Sequence, residues 1–334
     1  PPSVLNLGAL SRIDELTNNV INSKIDSNAV SDELKDIHAK SKKINHFYLT
    51  LAYAFSAGCF SLLIGTNIIS FIFSLLLGAF IYLLVFLSSK SKYLENIFES
   101  FSALIVTIVG CLLTMVFPEL NLGLTILASI IIFIPGLAIT TALEEITSKS
   151  LVAGGAKLFD AIILLFKQFF GVLLGLGLMS SFIDIDLTNH VSEMPKWTIY
   201  CAILIFPITL LPIFQVRKKD MFFGVLTGAL AFFIIVLLSG YGVLVSTFIG
   251  TLAVVGISRV FGKITKTPKT VYLTQGIVMM VPGSKSFMGL SSSFLNSSIA
   301  GSGNLFEQVA FILMGIIGGL LFAGTFRERS IKKH

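Results

Sequence analysis

Residues 131–140 read Ile-Ile-Phe-Ile-Pro-Gly-Leu-Ala-Ile-Thr, an apolar run with a Pro-Gly pair inside it. Residues 278–286, Val-Met-Met-Val-Pro-Gly-Ser-Lys-Ser, carry a second pair in a second apolar run. Proline removes a backbone N–H donor and glycine loosens the chain, so each pair is expected to interrupt a helix and to free backbone groups there. A simple kink without function is the alternative for each run. The sequence leaves open whether the two helices are kinked or broken.

Apolar runs extend outward from these pairs over most of the 334 residues. Hydrophobic residues make up 54% of the chain and charged residues 13%, about half the charged share of an ordinary soluble domain. Because a membrane-spanning helix needs about 20 apolar residues, the sequence predicts an all-α polytopic membrane protein with ten transmembrane helices. They are expected near residues 47–64, 68–88, 98–117, 121–141, 158–182, 197–214, 221–239, 241–261, 271–290 and 305–326.

Basic residues predict how these helices are oriented. Lysine and arginine gather in alternate loops, and the other loops carry acidic residues such as Glu119 and Asp184. Because positively charged loops stay in the cytoplasm, both termini are expected inside and the number of spans is even. This orientation accounts for the net charge of +6, so no nucleic-acid partner is expected. The basic residues expected inside include Lys43, Lys90, Lys92, Lys149, Lys157, Arg217, Lys218, Lys219, Lys263, Lys266, Lys269, Arg327 and Arg329.

An internal repeat relates the two halves of the chain. An offset of 147 residues places the first Pro-Gly pair on the second and Asp160 on Glu307. Each half then holds five spans, and an odd number turns the second half over in the membrane, which gives the inverted-topology repeat of secondary transporters. We expect residues 46–190 and 191–334 to form the two repeats, and residues 1–45 to form cytosolic helices or a linker.

The two interruptions form the candidate substrate site, because breaks in corresponding places of two repeats mark the binding site of transporters. Lys167 is added because it lies nine residues, roughly 13 Å, beyond the predicted start of its helix and cannot readily reach water. Helical spacing puts Asp160, Lys167, Gly171 and Gly175 on one stripe, which is expected to face the bundle interior. A structural ion pair is the alternative for Lys167. The candidate substrate-binding residues are Pro135, Gly136, Thr140, Thr141, Lys167, Pro282, Gly283, Ser284 and Ser286.

Three acidic residues are candidates for proton coupling, because an ionisable group inside a span is costly and tends to mark an ion path. Asp160 and Glu307 each lie two positions into a predicted helix, so a favourable interaction with the helix dipole is the alternative for both. Glu145 follows the first interruption, where a solvated helix end is the alternative. The sequence contains no metal-ligand spacing, phosphate-binding glycine loop or nucleophile motif. We therefore expect no cofactor and no enzyme activity, and energy from an ion gradient.

The same stretches resemble a known family. Residues 134–146, Ile-Pro-Gly-Leu-Ala-Ile-Thr-Thr-Ala-Leu-Glu-Glu-Ile, and residues 151–161 resemble the signature of the threonine/serine exporter family. Residues 281–284 and 300–301 resemble its carboxy-terminal half, and residues 7–16 resemble the segment before its first span. The resemblance implies ten spans in two five-helix repeats and export of threonine and serine driven by the proton motive force. It also implies the bacterial cytoplasmic membrane and a cytosolic amino-terminal domain that is mostly absent here.

Two positions depart from the pattern of that family. An Asp is common where this chain has Glu145, and an Asn where it has Thr141. Both differences keep the polarity and change the reach of the side chain, which affects the expected substrate. Members split into two polypeptides are associated with export of small dicarboxylates such as succinate, whereas the fused arrangement favours an amino acid.

Our leading hypothesis is a proton-coupled exporter of small amino acids that works by alternating access. Export of small dicarboxylates, a channel-like pore and a membrane anchor for a soluble domain are the alternatives. The expected partners are a small amino acid or small anion, protons and the lipid bilayer, and a homo-oligomer is left open. Saturable exchange of solute would distinguish a transporter from a channel.

Overall fold

The computed structural model describes residues 6–22, 27–41, 45–185, 194–195, 197–280 and 305–331. These residues form thirteen α-helices and two short 3-10 segments, and no strand occurs among them. The helices are α1 (Leu7–Ile21), α2 (Ser27–Ser41), α3 (His46–Leu63), α4 (Ile68–Ser88), α5 (Lys92–Val116), α6 (Leu122–Ile130), α7 (Gly136–Thr147), α8 (Leu151–Met179), α9 (Trp197–Ile213), α10 (Lys218–Leu237), α11 (Val243–Thr265), α12 (Lys269–Val278) and α13 (Leu305–Ile331). The 3-10 segments are Ile131–Phe133 and Ser239–Tyr241.

Seven of these helices are long and apolar enough to cross a membrane. They are α3, α4, α5, α8, α10, α11 and α13, whereas the apolar helices α6 and α9 are shorter. The length and composition of these helices therefore confirm the predicted class, an all-α polytopic membrane protein.

Asparagine side chains cap the amino-terminal ends of α1, α3 and α4, and at α3 the Asn45 side chain accepts from the Phe47 amide at 3.1 Å. The side-chain oxygen of Asn6 accepts a hydrogen bond from the Ala9 amide at 2.8 Å, and Asn67 accepts one from the Ser70 amide at 2.8 Å. Each bond satisfies an amide that has no acceptor within its own helix. Asn67 also donates to the Glu119 carbonyl at 2.6 Å, which ties the start of α4 to the loop before α6.

Glycines on α8 bring that helix into close contact with α5. A Cβ atom at Gly171 would collide with the Ser100 carbonyl oxygen, and one at Gly175 would lie 2.8 Å from the Thr107 Cβ. The Ser100 hydroxyl also donates to the Lys167 carbonyl at 2.8 Å. Small residues at such interfaces let helix backbones approach closely inside a membrane.

The second half repeats this contact between α11 and α13. A Cβ atom at Gly315 would lie 2.9 Å from the Thr247 Cβ, and one at Gly319 would lie 2.5 Å from the Thr251 Cβ. Thr247 stands 147 residues after Ser100, which faces Gly171 in the first half.

Other helices correspond between the halves in the same way. Helices α4, α6 and α8 begin at residues 68, 122 and 151, and α10, α12 and α13 begin at residues 218, 269 and 305. The packing partners correspond as well, because α4 contacts α5 and α6, while α10 contacts α11 and α12. The structure thus contains two similarly packed groups of helices, in the order that the 147-residue offset predicts.

The two halves meet through α3 and α9 and through α7. The rings of Phe60 on α3 and Phe206 on α9 lie 6.0 Å apart. Helix α7, which belongs to the first half in sequence, contacts α12 and α13 of the second half.

Helix α1 docks on the loop between α9 and α10. The Leu7 amide donates to the Phe214 carbonyl at 3.0 Å, and the Asn6 amide group donates to Gln215 Oε1 at 2.6 Å. The Leu7 side chain is fully buried. Residues 1–45 therefore contain helices, as one of the two expectations for this segment has it, and α1 packs on the helical bundle.

Candidate functional site

The first Pro-Gly pair breaks its helix. Helix α6 ends at Ile130, a 3-10 segment follows, and Ile134 is extended with φ −62° and ψ 124° before α7 begins at Gly136. An extended residue is favoured before proline, and proline cannot donate the hydrogen bond that would continue the helix. Instead of continuing α6, α7 packs against α8. The sequence left open whether this helix is kinked or broken, and in the structure it is broken between Ile130 and Gly136.

A buried glutamine closes the carbonyl end of this break. Gln168 on α8 is fully buried, and its Nε2 donates to the Phe133 carbonyl at 2.6 Å. The Phe133 ring packs edge-on against Phe98 at 5.1 Å and lies 6.2 Å from the Tyr53 ring. Side chains from α3, α5 and α8 therefore enclose the break. Sequence reasoning missed Gln168, although a neutral polar residue inside an apolar run is a detectable signal.

The predicted residues of the first break lie together. Pro135 and Gly136 are buried, and Thr141 is half-buried one turn along α7. The Thr141 hydroxyl donates to the Ala138 carbonyl at 3.1 Å. Thr140 lies in the same helix, but its side chain is outside the described part.

The second predicted break cannot be compared with the first. Pro282, Gly283, Ser284 and Ser286 lie outside the described residues. Helix α12, which precedes them, ends at Val278.

Lys167 lies beside Glu99 rather than at the break. Its Nζ is 3.9 Å from Glu99 Oε2, and the Lys167 and Glu99 side chains are 44% and 12% exposed. Gly171 and Gly175 are buried as expected, but the expectation that Asp160 and Lys167 face the interior is wrong, because both are exposed. The physical reason is the close packing of α5 on the glycines, which leaves the lysine chain to extend along the edge of that interface.

The three candidate proton-coupling residues lie on three different helices, α7, α8 and α13. Glu145 on α7 forms an ion pair with Lys157 on α8. Asp160 is exposed on α8, and Glu307 is exposed in the first turn of α13. Helix α8 begins at Leu151, not at residue 158, because its first turns pack against α7. Asp160 therefore lies nine residues into its helix, and the helix-end alternative does not apply to it.

A second polar cluster, unforeseen in the sequence, surrounds the fully buried Asp220 at the start of α10. Its Oδ1 accepts hydrogen bonds from Tyr272 and Thr267, both at 2.8 Å. Its Oδ2 accepts from Ser11 on α1 and from Arg217 Nε, both at 3.4 Å. These five residues, which we call the Asp220 cluster, join α1, α10 and α12. Their distance in sequence from one another hid the cluster.

Arg217 also links this cluster to the exposed face of α1. Its Nη1 donates to Glu15 Oε2 at 2.7 Å, and the Lys219 ammonium lies 3.8 Å from the same oxygen. The hydrogen bond from the Arg217 guanidinium holds the pKa of Glu15 below its usual value. The docking of α1 therefore has an electrostatic component as well as the burial of Leu7.

Comparison with known proteins identifies the family. Residues 1–179 match the family described as putative threonine/serine exporter, and residues 198–326 match a second one described as threonine/serine exporter, ThrE. The chain belongs to the threonine/serine exporter family. Family membership confirms the resemblance seen in the sequence.

Curated relatives carry another name. The chain is 26% identical over 313 residues to pheromone-regulated membrane protein 10 of Eremothecium gossypii, covering 90% of this chain and 41% of that protein. It is 33% identical over 135 residues to the protein of the same name from Kluyveromyces lactis, covering 39% of this chain and 14% of that protein. The chain thus spans less than half the length of these relatives. No solved structure matches it.

Proposed function

We propose that this member of the family exports threonine and serine by proton-coupled alternating access. In this proposal the chain crosses a bacterial cytoplasmic membrane ten times, with both termini in the cytoplasm. The fourth span consists of α6 and α7, and the ninth begins with α12. Two five-helix repeats of inverted topology rock against each other around the breaks.

The observation that carries the proposal is the position of α7 after the break. Its amino-terminal end starts at buried Gly136, and the helix then contacts α12 and α13 of the other half. The amino-terminal end of a helix carries a partial positive charge and suits a carboxylate. A solute held at this end would therefore be bound between two groups of helices that can move relative to each other.

The correspondence between the halves supports the rocking mechanism. Packing of α5 on α8 is matched by packing of α11 on α13, and both contacts are closed by glycines. Contacts between the halves involve fewer helices, namely α3 with α9 and α7 with α12 and α13. Each half is thus suited to move as a unit.

Our candidate substrate residues are the two Pro-Gly pairs with Thr140, Thr141, Ser284 and Ser286, and Lys167 as an additional charge. Asp160, Glu307 and Glu145 are our candidates for proton coupling. Asp160 is favoured among them because it lies well inside a long apolar helix and is not engaged by Lys157, which pairs with Glu145.

Counterflow in proteoliposomes tests the proposal. The chain is reconstituted, and exchange of labelled threonine, serine and succinate is followed with and without an imposed pH gradient. We expect saturable exchange of threonine or serine, and gradient-driven accumulation that is lost in Asp160→Asn. Vesicles without protein serve as the control for leak, and Lys167→Met tests whether the lysine contributes to solute binding or only to its ion pair with Glu99.

The alternatives give different results in the same experiment. Exchange of succinate alone would identify a dicarboxylate exporter. Conductance without saturation would identify a channel. Absence of any exchange by folded protein would favour a membrane anchor and would contradict the proposal.

A further inference from the structure

Gln275 on α12 is a buried amide without a hydrogen-bond partner. The residue is 1% exposed, and neither Nε2 nor Oε1 has a partner. An unpaired polar group is costly in a protein interior, and more so where the surrounding bilayer supplies no water. Nearly all buried polar groups in folded proteins are paired. Several described side chains have one unpaired buried atom, but only Gln275 has two, so its amide calls for an explanation.

The glycine at position 224 makes room for this amide. A Cβ atom at Gly224 on α10 would lie 2.6 Å from Gln275 Nε2 and closer still to Oε1. Gly276 is the next residue of α12 after Gln275. A Cβ atom at Gly276 would lie 2.5 Å from the Val254 side chain on α11 and 3.1 Å from the Thr227 side chain on α10. The amide therefore lies at the interface between α10 and α12, in a space that only the absence of a side chain at Gly224 provides.

The same interface pairs its polar groups one turn away. Gly224 follows Asp220 by one helical turn of α10, and Gln275 follows Tyr272 by about one turn of α12. In the Asp220 cluster both carboxylate oxygens accept hydrogen bonds, including the one from the Tyr272 hydroxyl. Polar side chains at this interface can therefore be hydrogen-bonded, whereas the Gln275 amide is not.

We propose that Gln275 binds the transported solute directly in the second half of the chain. Its N–H group donates to the carboxylate of a small zwitterion, and its oxygen accepts from the ammonium or hydroxyl group of the same solute. An uncharged amide offers one donor group and one acceptor, which matches an amino acid such as threonine or serine. A dicarboxylate would leave the acceptor without a donor. This assignment rests on the proposed function and specifies its substrate class.

The position of α12 in the fold suits a residue that binds the solute. It corresponds to α6 at the 147-residue offset, and α6 leads into the first break. Helix α12 also contacts α7, whose amino-terminal end follows that break. Gln275 therefore lies on a helix that connects the two halves.

The first test separates binding from structure by comparing stability with transport. Gln275→Leu removes the unpaired amide at similar volume, so thermal stability in detergent is expected to stay the same or rise. The KM for threonine exchange in proteoliposomes is expected to rise about ten- to a hundredfold, as for loss of one or two hydrogen bonds to a ligand. Gln275→Asn keeps the amide and is expected to retain part of the affinity. The matched control is Gln168→Leu, which removes an amide whose Nε2 is paired and whose Oε1 is not, and which is expected to lower stability because the Phe133 carbonyl loses its donor.

Two results of this test would overturn the inference. Unchanged KM in Gln275→Leu would show that the amide does not contact the solute. A fall in thermal stability equal to that of Gln168→Leu would show that the amide has a structural role.

The second test detects solute binding by chemical labelling and does not depend on transport activity. Gln275→Cys is made in a background in which Cys59, Cys111 and Cys201 are replaced by alanine, and a membrane-impermeant methanethiosulfonate is applied. We expect reaction in one conformational state and slowing of that reaction by threonine. Absence of reaction from both sides, with and without a pH gradient, would overturn the inference, and slowing by succinate alone would overturn the zwitterion assignment. Reaction slowed by threonine, but without threonine exchange by the parent chain, would instead mean that the proposed function fails.

Discussion

The two halves of this chain pack their helices alike but treat their buried amides differently. In the first half Gln168 donates to the Phe133 carbonyl that the helix break has freed. In the second half Gln275 has no partner, although the Asp220 cluster one turn away is extensively paired. The residues at the corresponding positions in the other half are Gly315 and Ala128, so each amide belongs to one half alone.

This difference distinguishes the small residues that pack the helices in both halves from the buried amides that occur in one half only. Glycine contacts between long helices recur in both halves because they fix the backbone packing. The buried amides do not recur, since Gln168 satisfies a particular break and Gln275, in our proposal, binds a solute. Asymmetry of this kind is expected in a transporter whose two repeats hold one substrate between them.

The largest effect is expected from Asp220→Ala, which removes the acceptor for Tyr272, Thr267 and Ser11 and the buried partner of Arg217. We expect a loss of about 3 kcal/mol or more, since buried partners left unpaired are costly. Thermal unfolding of the purified chain in detergent measures it. Asp184→Ala, at an exposed aspartate, is the control, and similar effects of the two variants would contradict the role of the cluster.

A smaller loss, about 2 kcal/mol, is expected from Gly171→Ala. The added Cβ meets the Ser100 carbonyl oxygen, and a backbone atom cannot move aside as a side chain can. Gly177→Ala in the same helix is the matched control, because nothing lies within 4 Å of its added Cβ. Alanine there is expected to be neutral or stabilising. Equal melting temperatures for the two variants would show that α8 does not pack on α5 as described.

The paired and unpaired amides give the next comparison. Gln168→Leu leaves the Phe133 carbonyl buried without a donor, and we expect a loss of about 1–2 kcal/mol. Gln275→Leu is expected to be neutral or stabilising in the same thermal measurement. A loss in Gln275→Leu as large as in Gln168→Leu would remove the distinction between the halves.

The smallest effect concerns the docking of α1 and its dependence on pH. The folded-state pKa of Glu15 is lowered because Arg217 donates to it. A lowered pKa means that this stabilisation is present above the unfolded-state pKa and is lost as the pH falls through the folded-state pKa. Hydrogen exchange of α1 amides, corrected for intrinsic rates, should therefore show weaker protection at acid pH. Glu15→Gln should abolish this dependence, and an unchanged dependence would rule out Glu15 as its source.

The long helices could be predicted from the sequence because apolar runs and glycine spacing are local properties. Whether Pro135 kinks or breaks its helix could not be predicted, since the position of α7 depends on its contacts with α8, α12 and α13. The early start of α8 was missed for the same reason. Its first two turns contain Gly154, Gly155 and Lys157, which interrupt the apolar run, and Gly154 lets them pack closely on Ile146 and Ala142.

The candidate site was predicted only in part. Pro135, Gly136 and Thr141 lie together because they are neighbours in sequence. The position of Lys167 depends on Glu99, and the burial of Asp220 depends on residues 11, 267 and 272, all distant along the chain. Side chains that find their partners across the fold leave no periodic signal, and the conspicuous charge of Lys167 drew attention away from its neighbour Gln168.

Threonine-driven proton movement is the most direct test of proton-coupled export. The chain is reconstituted in vesicles that hold a pH-sensitive dye, and a threonine gradient is imposed without an initial pH difference. We predict a pH change in the lumen that saturates with threonine and is lost in Asp160→Asn. Saturable threonine flux without any pH change, under conditions in which the dye responds to an added ionophore, would contradict proton coupling.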